Sequence, residues 1–178
     1  LNGGSVFDTD LYVNVMNKIA ELSGKDIKND VLYKKAARIV ADHVRTAVVI
    51  IGDRRGVTPS NVDQGYVLRR LIRRAIRYAM KLEMPENSLA TLAEIIINEY
   101  KDVYEEFTEN KNKIIEELSL EEKRFSRTLR QGEKEFDKLV SKTKIYLVII
   151  AILLIIICCL KPILIIPAII AYILIILY

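Results

Sequence analysis

The residues best suited to chemistry lie in one run, Tyr66 to Lys81, which reads YVLRRLIRRAIRYAMK and holds five arginines, one lysine and no acid. At the roughly 100° per residue of a helix, Arg70, Arg73, Arg74 and Arg77 share one face. Leu68, Leu71, Ile72, Ala75 and Ala79 supply the apolar positions that would seat such a helix on a bundle. Guanidinium groups on one helix face stand about 5–6 Å apart. Their planar donors match phosphate oxygens, and each phosphate neutralised releases about 0.7–0.9 of a condensed counterion. RNA or DNA backbone is the natural partner, and a surface stripe paired to acids of neighbouring helices is the alternative. Just upstream, Asn61, Asp63 and Gln64 flank the helix start beside Pro59 and Gly65. Short amide and carboxylate side chains held next to a cationic face are placed to meet base edges.

Other reactive constellations are missing. The single histidine, His43, sits between Asp42 and Arg45 on a helical pattern and is expected to be a hydrogen-bonded structural residue, not a general base. Gly3-Gly4 is too short for a phosphate loop and has no lysine beside it. The acidic pairs Glu105-Glu106, Glu116-Glu117 and Glu121-Glu122 lie on lysine-rich segments and are expected to be solvated faces with (i, i+4) partners. No catalytic residue and no metal ligand is assigned.

The elements that must position the basic run are all helical patterns. Leu11, Val15, Ile19 and Leu22 recur at intervals of three and four from Thr9 to Leu22, with Asp8 or Thr9 as cap and Gly24 as terminator. A second helix is expected from Val31 to Ile51, with Leu32, Ala36, Ile39, Val40, Ala47, Val48 and Ile51 along its apolar side. Gly52 to Asp63 is dense in turn residues, a loop of a length that is usually functional. The basic helix follows to Leu82, where Met84-Pro85 stops it, and Ser88 is expected to cap a helix reaching Tyr100 or Tyr104. Charged sequence then continues past Phe125 and Leu139, with breaks expected near Ser119 and Gly132. No alternating segment supports a sheet, so the fold class is all-α, a helical bundle.

Composition divides the chain in two. Its 178 residues carry a net charge of +4, yet 28% charged residues coexist with a mean hydropathy of +0.19. Every residue of 145–178 is hydrophobic except Lys161, Pro162 and Pro167, so nearly all the charge lies in the first 144 positions. That body sums to +3 while the basic run alone is +6, which makes the basic character local. These features exclude a simple soluble protein. Cys158 and Cys159, adjacent in the apolar block, are read as small apolar residues in a reducing compartment. Leu1 to Asp10 has no signal-peptide pattern, and a chain not beginning with Met is read as a fragment.

The stretches ADHVRTAVVIIGD (Ala41 to Asp53), GVTPSNVDQGYVLRRLIRRAIRYAMKL (Gly56 to Leu82) and EEKRFSRTLRQGEKEF (Glu121 to Phe136), in that order, strongly resemble alanyl-tRNA synthetase. FDTDLY (Phe7 to Tyr12) resembles the segment after that family's catalytic domain, and the likeness covers about residues 7–139. The resemblance implies an ATP-dependent class II ligase that activates alanine and transfers it to tRNA. It also implies a helical region that reads a guanine-uracil wobble pair in the acceptor stem. Asn61 matches the family residue contacting that pair from the minor-groove side, a groove that is wide and shallow in A-form RNA. Arg69, Arg70, Arg73, Arg74 and Arg77 match the family's arginine helix, which implies a clamp on acceptor-stem phosphates. ATP, Mg and Zn are implied for the full-length family, and none is expected to be bound by this fragment. Nothing here resembles the three class II motifs of the adenylate site, and Arg54-Arg55 is a small insertion relative to the family's usual loop.

The expected segmentation is 1–8 as the end of a catalytic-domain linker, 9–139 as a helical tRNA-recognition domain, and 140–178 as an apolar membrane-like tail without family counterpart. Ile145–Leu160 and Ile163–Tyr178 are 16 residues each. Each spans about 24 Å if helical, short of a roughly 30 Å hydrocarbon core. The tail is therefore expected to be a single transmembrane-like helix or a tight helical hairpin about Lys161-Pro162, with the basic residues before it keeping the body cytoplasmic. Translation out of frame is the other source of so isoleucine-rich a block. The function expected is a truncated alanine-tRNA ligase that retains the acceptor-stem-binding region and is inactive alone, with a membrane-anchored RNA-binding or adaptor module as the alternative. The partners expected are tRNA, a membrane through 145–178, and the missing catalytic part.

Overall fold

The computed structural model of the chain describes residues 4–176, with the side chains of 154–173, 175 and 176 outside the description, and contains helices and no strand among the described residues. After a short 3-10 turn at Val6–Asp8 come α1 (Asp10–Ser23), α2 (Val31–Gly52), α3 (Asp63–Lys81), α4 (Ser88–Tyr100), α5 (Glu105–Glu109) and α6 (Lys111–Ile176). Two compact units result, Leu1–Leu129 and Arg130–Tyr178, and the core lies in the first.

The helices start and stop where the chain offers partners for their free amides and carbonyls. Asp30 caps α2, its carboxylate accepting from Leu32 N at 2.7 Å and Tyr33 N at 2.9 Å. Gly24, at φ 62°, closes α1 in the left-handed conformation and donates its N–H to the Ala20 carbonyl at 2.9 Å. At the start of α1 the cap differs from expectation. Thr9 turns its hydroxyl back to the Val6 carbonyl at 2.5 Å, while Ser5 and Asp8 form a capping box around the preceding turn. The buried side of α1 accordingly runs through Tyr12, Val15 and Ile19, and Leu11 is exposed.

α2 is the spine of the bundle and packs on α1, α3 and α4. Ala37, Val40, Ala41, Val44, Ala47, Val48 and Ile51 on its inner side are all essentially sealed from solvent, so small alanines alternate with branched side chains and let neighbours approach closely. Leu68, Ile72 and Ile76 of α3 and Leu92 and Ile96 of α4 complete the core with Ile114 and Leu118 of α6. Each such burial stabilises the fold by about 1.5–3 kcal/mol. Leu32, expected in the core, is 76% exposed in the first turn of α2.

Two expectations about the later chain are corrected. Ser88 does not cap α4: its hydroxyl is buried without a partner, and the helix begins after Asn87, which is left-handed at φ 66°. The cap comes from another helix, because Glu122 of α6 accepts from Leu89 N at 3.2 Å. Nor does α6 break at Ser119 or Gly132. Ser119 spends its hydroxyl on the Asn87 side chain at 2.7 Å, and a single interior glycine costs only about 1 kcal/mol, too little to end a long helix.

The hairpin expected about Lys161-Pro162 is also corrected, since the backbone is helical without interruption from Lys111 to Ile176. Among the described residues no helix is long and apolar enough to cross a membrane, so the expected transmembrane span is not found there. Of the apolar block only Ile145–Leu153 and Leu174 have described side chains. The nine-residue stretch is helix of about 14 Å, half a hydrocarbon core. The rest of the expected tail lies outside the described side chains.

Burial pushes the Glu122 carboxyl above its usual range, against the opposing pull of the amides at the start of α4. A carboxyl raised by folding stabilises the folded state while protonated. That contribution is complete below the ordinary carboxylate range and lost as pH rises through the raised value. Glu122→Gln keeps an oxygen for the Leu89 amide and carries no charge. Its thermal midpoint relative to the native chain is expected to rise from mildly acid to mildly alkaline buffer. A difference that stays flat or shrinks would contradict this account.

Candidate nucleic-acid interface

The loop between α2 and α3 is tied down at several points. Asp53 Oδ1 accepts from Arg55 N at 2.7 Å, Gly56 N donates to the Asp53 carbonyl at 2.7 Å, and Val57 N reaches the Ile50 carbonyl at 3.3 Å. From the far side, Asn110 donates to the Gly52 carbonyl at 3.0 Å. The second half of the loop folds back across the first turn of α3, where Ser60 N donates to the Gly65 carbonyl at 3.1 Å. Two glycines permit this. A Cβ on Gly56 would lie 2.2 Å from the Ile51 carbonyl oxygen, and one on Gly65 would lie 2.2 Å from Ser60 Oγ and 2.6 Å from the Thr58 carbonyl oxygen. Asp63 opens the helix at φ 48°, a left-handed conformation that aspartate tolerates better than most residues. Asn61, Asp63 and Gln64 are all exposed on this structure.

The arginines of α3 separate into two groups. Arg69 Nε and Arg73 Nε both donate to Glu121 Oε1, at 3.2 and 2.5 Å. The acid's side chain is only 4% exposed, against 22% for Arg69 and 35% for Arg73. Arg73 also stands over the Phe125 ring at 4.9 Å. The expectation that Glu121-Glu122 is a solvated face is therefore overturned: both residues are buried, one holding two guanidinium groups and the other capping α4. The alternative reading of the stripe, pairing to acids of a neighbouring helix, holds for Arg69 and Arg73 alone.

Arg70, Arg74 and Arg77 are exposed and carry no ion pair among the described residues. Arg70 lies over the Tyr66 ring at 5.7 Å, while Arg74 and Lys81 flank Tyr78 at 5.9 and 5.1 Å. Arg70, Arg74, Arg77, Tyr78 and Lys81, together with Arg73 and Phe125, line an open cleft of about 340 Å³. Its walls carry five cations, of which only Arg73 is matched by an acid. Aromatic faces hold the guanidinium planes without consuming their donors, so the donors remain for a polyanion. Tyr78 lies within the basic run, but no local signal in the sequence joins Glu121 or Phe125 to this site. Glu121 is 52 positions from Arg69 and has no local signal beyond its charge.

Asn61 is linked to the first group, since its Oδ1 accepts from Arg69 Nη1. His43 stands as expected of a structural residue, half-buried with Nδ1 3.2 Å from Asp42, which also accepts from the Tyr12 hydroxyl at 3.3 Å. Among the described residues no group of three or more His, Cys, Asp or Glu is placed to hold a metal ion.

Residues 2–150 match the family described as tRNA synthetases class II (A). That description names the synthetase and not a tRNA-recognition region, and the match extends on both sides of the domain expected at 9–139. The chain is 46% identical over 138 residues to the alanine–tRNA ligase of Borrelia hermsii, an overlap of 78% of this chain and 23% of the relative. It is 41% identical over the same length to that of Treponema pallidum, again covering 78% and 23%. For Thermotoga maritima the figures are 41% identity, 78% of this chain and 16% of the relative. The chain thus spans less than a quarter of the length of these relatives.

The close approach at Gly65 has a measurable consequence. An alanine there would gain about 1 kcal/mol of helix propensity, but its methyl group must displace the Ser60 side chain and the Thr58 carbonyl. Overpacking of this kind costs about 1–3 kcal/mol. Gly65→Ala is expected to lower the thermal midpoint and to raise proteolytic cleavage within residues 53–62. An unchanged midpoint and cleavage pattern would show that the loop does not depend on that close approach.

Proposed function

Because the chain belongs to the tRNA synthetases class II (A) family, we propose that it serves an alanine–tRNA ligase by supplying the surface that grips the tRNA acceptor stem. Arg70, Arg74 and Arg77, with Lys81, hold the phosphates, and Asn61 reads the guanine-uracil wobble pair from the minor groove. Asp63 and Gln64, exposed at the helix start, serve as auxiliary contacts. The observation that carries this reading is the exposed group of unpaired cations on α3, set beside aromatic rings and directly following a tied-down loop with an outward amide. Such a face binds RNA backbone through counterion release, and only the amide adds sequence information.

The division of labour extends to what this chain leaves undone. We read none of its residues as a class II adenylate-site motif, and we propose that this chain by itself does not carry out alanine activation. Alanine-dependent pyrophosphate exchange by the chain alone is expected to be undetectable, and clear exchange would overturn that assignment.

The phosphate role is tested by titrating the full chain with an acceptor-stem RNA hairpin at several salt concentrations. Arg74→Ala with Arg77→Ala is expected to weaken binding of every hairpin alike. The double change should also reduce the logarithmic salt slope by about 0.7–0.9 for each phosphate that is no longer neutralised. An unchanged slope would remove the phosphates from this face and favour the adaptor reading, in which the stripe meets an acidic protein.

A further inference from the structure

We propose that Glu121 is a positioning residue that, through Arg69, fixes the Asn61 amide with its NH2 turned outward as a donor to the RNA; this rests on the reading that the α3 face binds an acceptor stem. A guanidinium group has five N–H donors and no acceptor. Where Arg69 Nη1 meets the Asn61 side chain, the amide must therefore present its oxygen inward and its NH2 outward. Arg69 is itself held, because its Nε is committed to the Glu121 carboxylate at 3.2 Å and that carboxylate is almost wholly buried. The same oxygen is shared with Arg73 Nε at 2.5 Å, so the anchor cannot swing toward solvent without abandoning both guanidinium groups. The line Glu121–Arg69–Asn61 thus runs from the interior of the bundle to an exposed side chain at the start of α3.

The chemical consequence is selectivity for acceptors. An unanchored asparagine can flip its amide and satisfy a donor or an acceptor on a base edge, which reads little. An asparagine whose oxygen is turned inward presents its N–H groups to the RNA, and in a minor groove it will prefer a position where a base oxygen, a ring nitrogen or a ribose hydroxyl stands in reach. A wobble pair shifts its two bases relative to a Watson–Crick pair and so moves those acceptors. A fixed donor registers that shift as a gain or loss of one hydrogen bond.

The test measures binding of the full chain to two acceptor-stem hairpins that differ only in a guanine-uracil or guanine-cytosine pair, across a range of salt. The native chain is expected to prefer the wobble hairpin. Glu121→Gln is expected to reduce that preference by about 3- to 10-fold, the worth of one ordered hydrogen bond. Its salt slope should not fall, because Arg70, Arg74 and Arg77 are untouched. Arg69→Leu, which leaves Glu121 paired to Arg73, should reduce the preference by a similar factor without emptying the buried acid. In an Asn61→Ala background neither change should reduce the preference further, a result that general loosening of the bundle would not give. A native preference that survives both Glu121→Gln and Arg69→Leu overturns the positioning role alone. Absence of any preference in the native chain overturns the acceptor-stem reading, and this inference with it.

Discussion

A buried carboxylate shared by two arginines is the interaction on which the functional face depends. Glu121 lies on α6 and its partners Arg69 and Arg73 lie on α3, so one oxygen joins elements about fifty residues apart. An unpaired carboxylate at that depth would be strongly unfavourable, and the two guanidinium donors offset the desolvation. In doing so they are withdrawn from solvent chemistry. The exposed cations of α3 are those that this acid does not reach, and they line the cleft together with Arg73, Tyr78 and Phe125.

Two adjacent acids thus do unlike things on one helix. Glu121 faces α3 and is charge-balanced, whereas Glu122 faces the start of α4 and relies on backbone amides and on the positive end of that helix. Between them they bind α6 to two earlier helices by polar contacts, while Ile114 and Leu118 add the apolar part. The loop before α3 is held in the same spirit, by backbone contacts that leave no room for a side chain at Gly56 or Gly65. Rigid supports of this kind matter for recognition, since an amide or guanidinium group that is already in place loses little freedom on binding.

Family membership and geometry bear on different questions. The match over residues 2–150 and the identities with alanine–tRNA ligases place the chain among the class II synthetases. They do not divide labour among the residues of α3. That division comes from which arginines meet an acid and which meet a ring.

The helical architecture was legible in sequence because local periods and turn residues specify it: α2, α3 and Gly24 lie within a residue or two of their expected places. The basic run and the outward loop residues were equally legible, as five arginines at helical spacing produce a cationic face whatever the surroundings. Only tertiary structure decided which of those arginines are free, that Asn61 is tied to Arg69, that Glu121 and Glu122 are buried, and that Ser88 does not cap its own helix. The physical reason is the same in each case. A charge on a helix surface looks solvated from its neighbours in sequence, and its energy depends on what another helix, distant along the chain, brings against it.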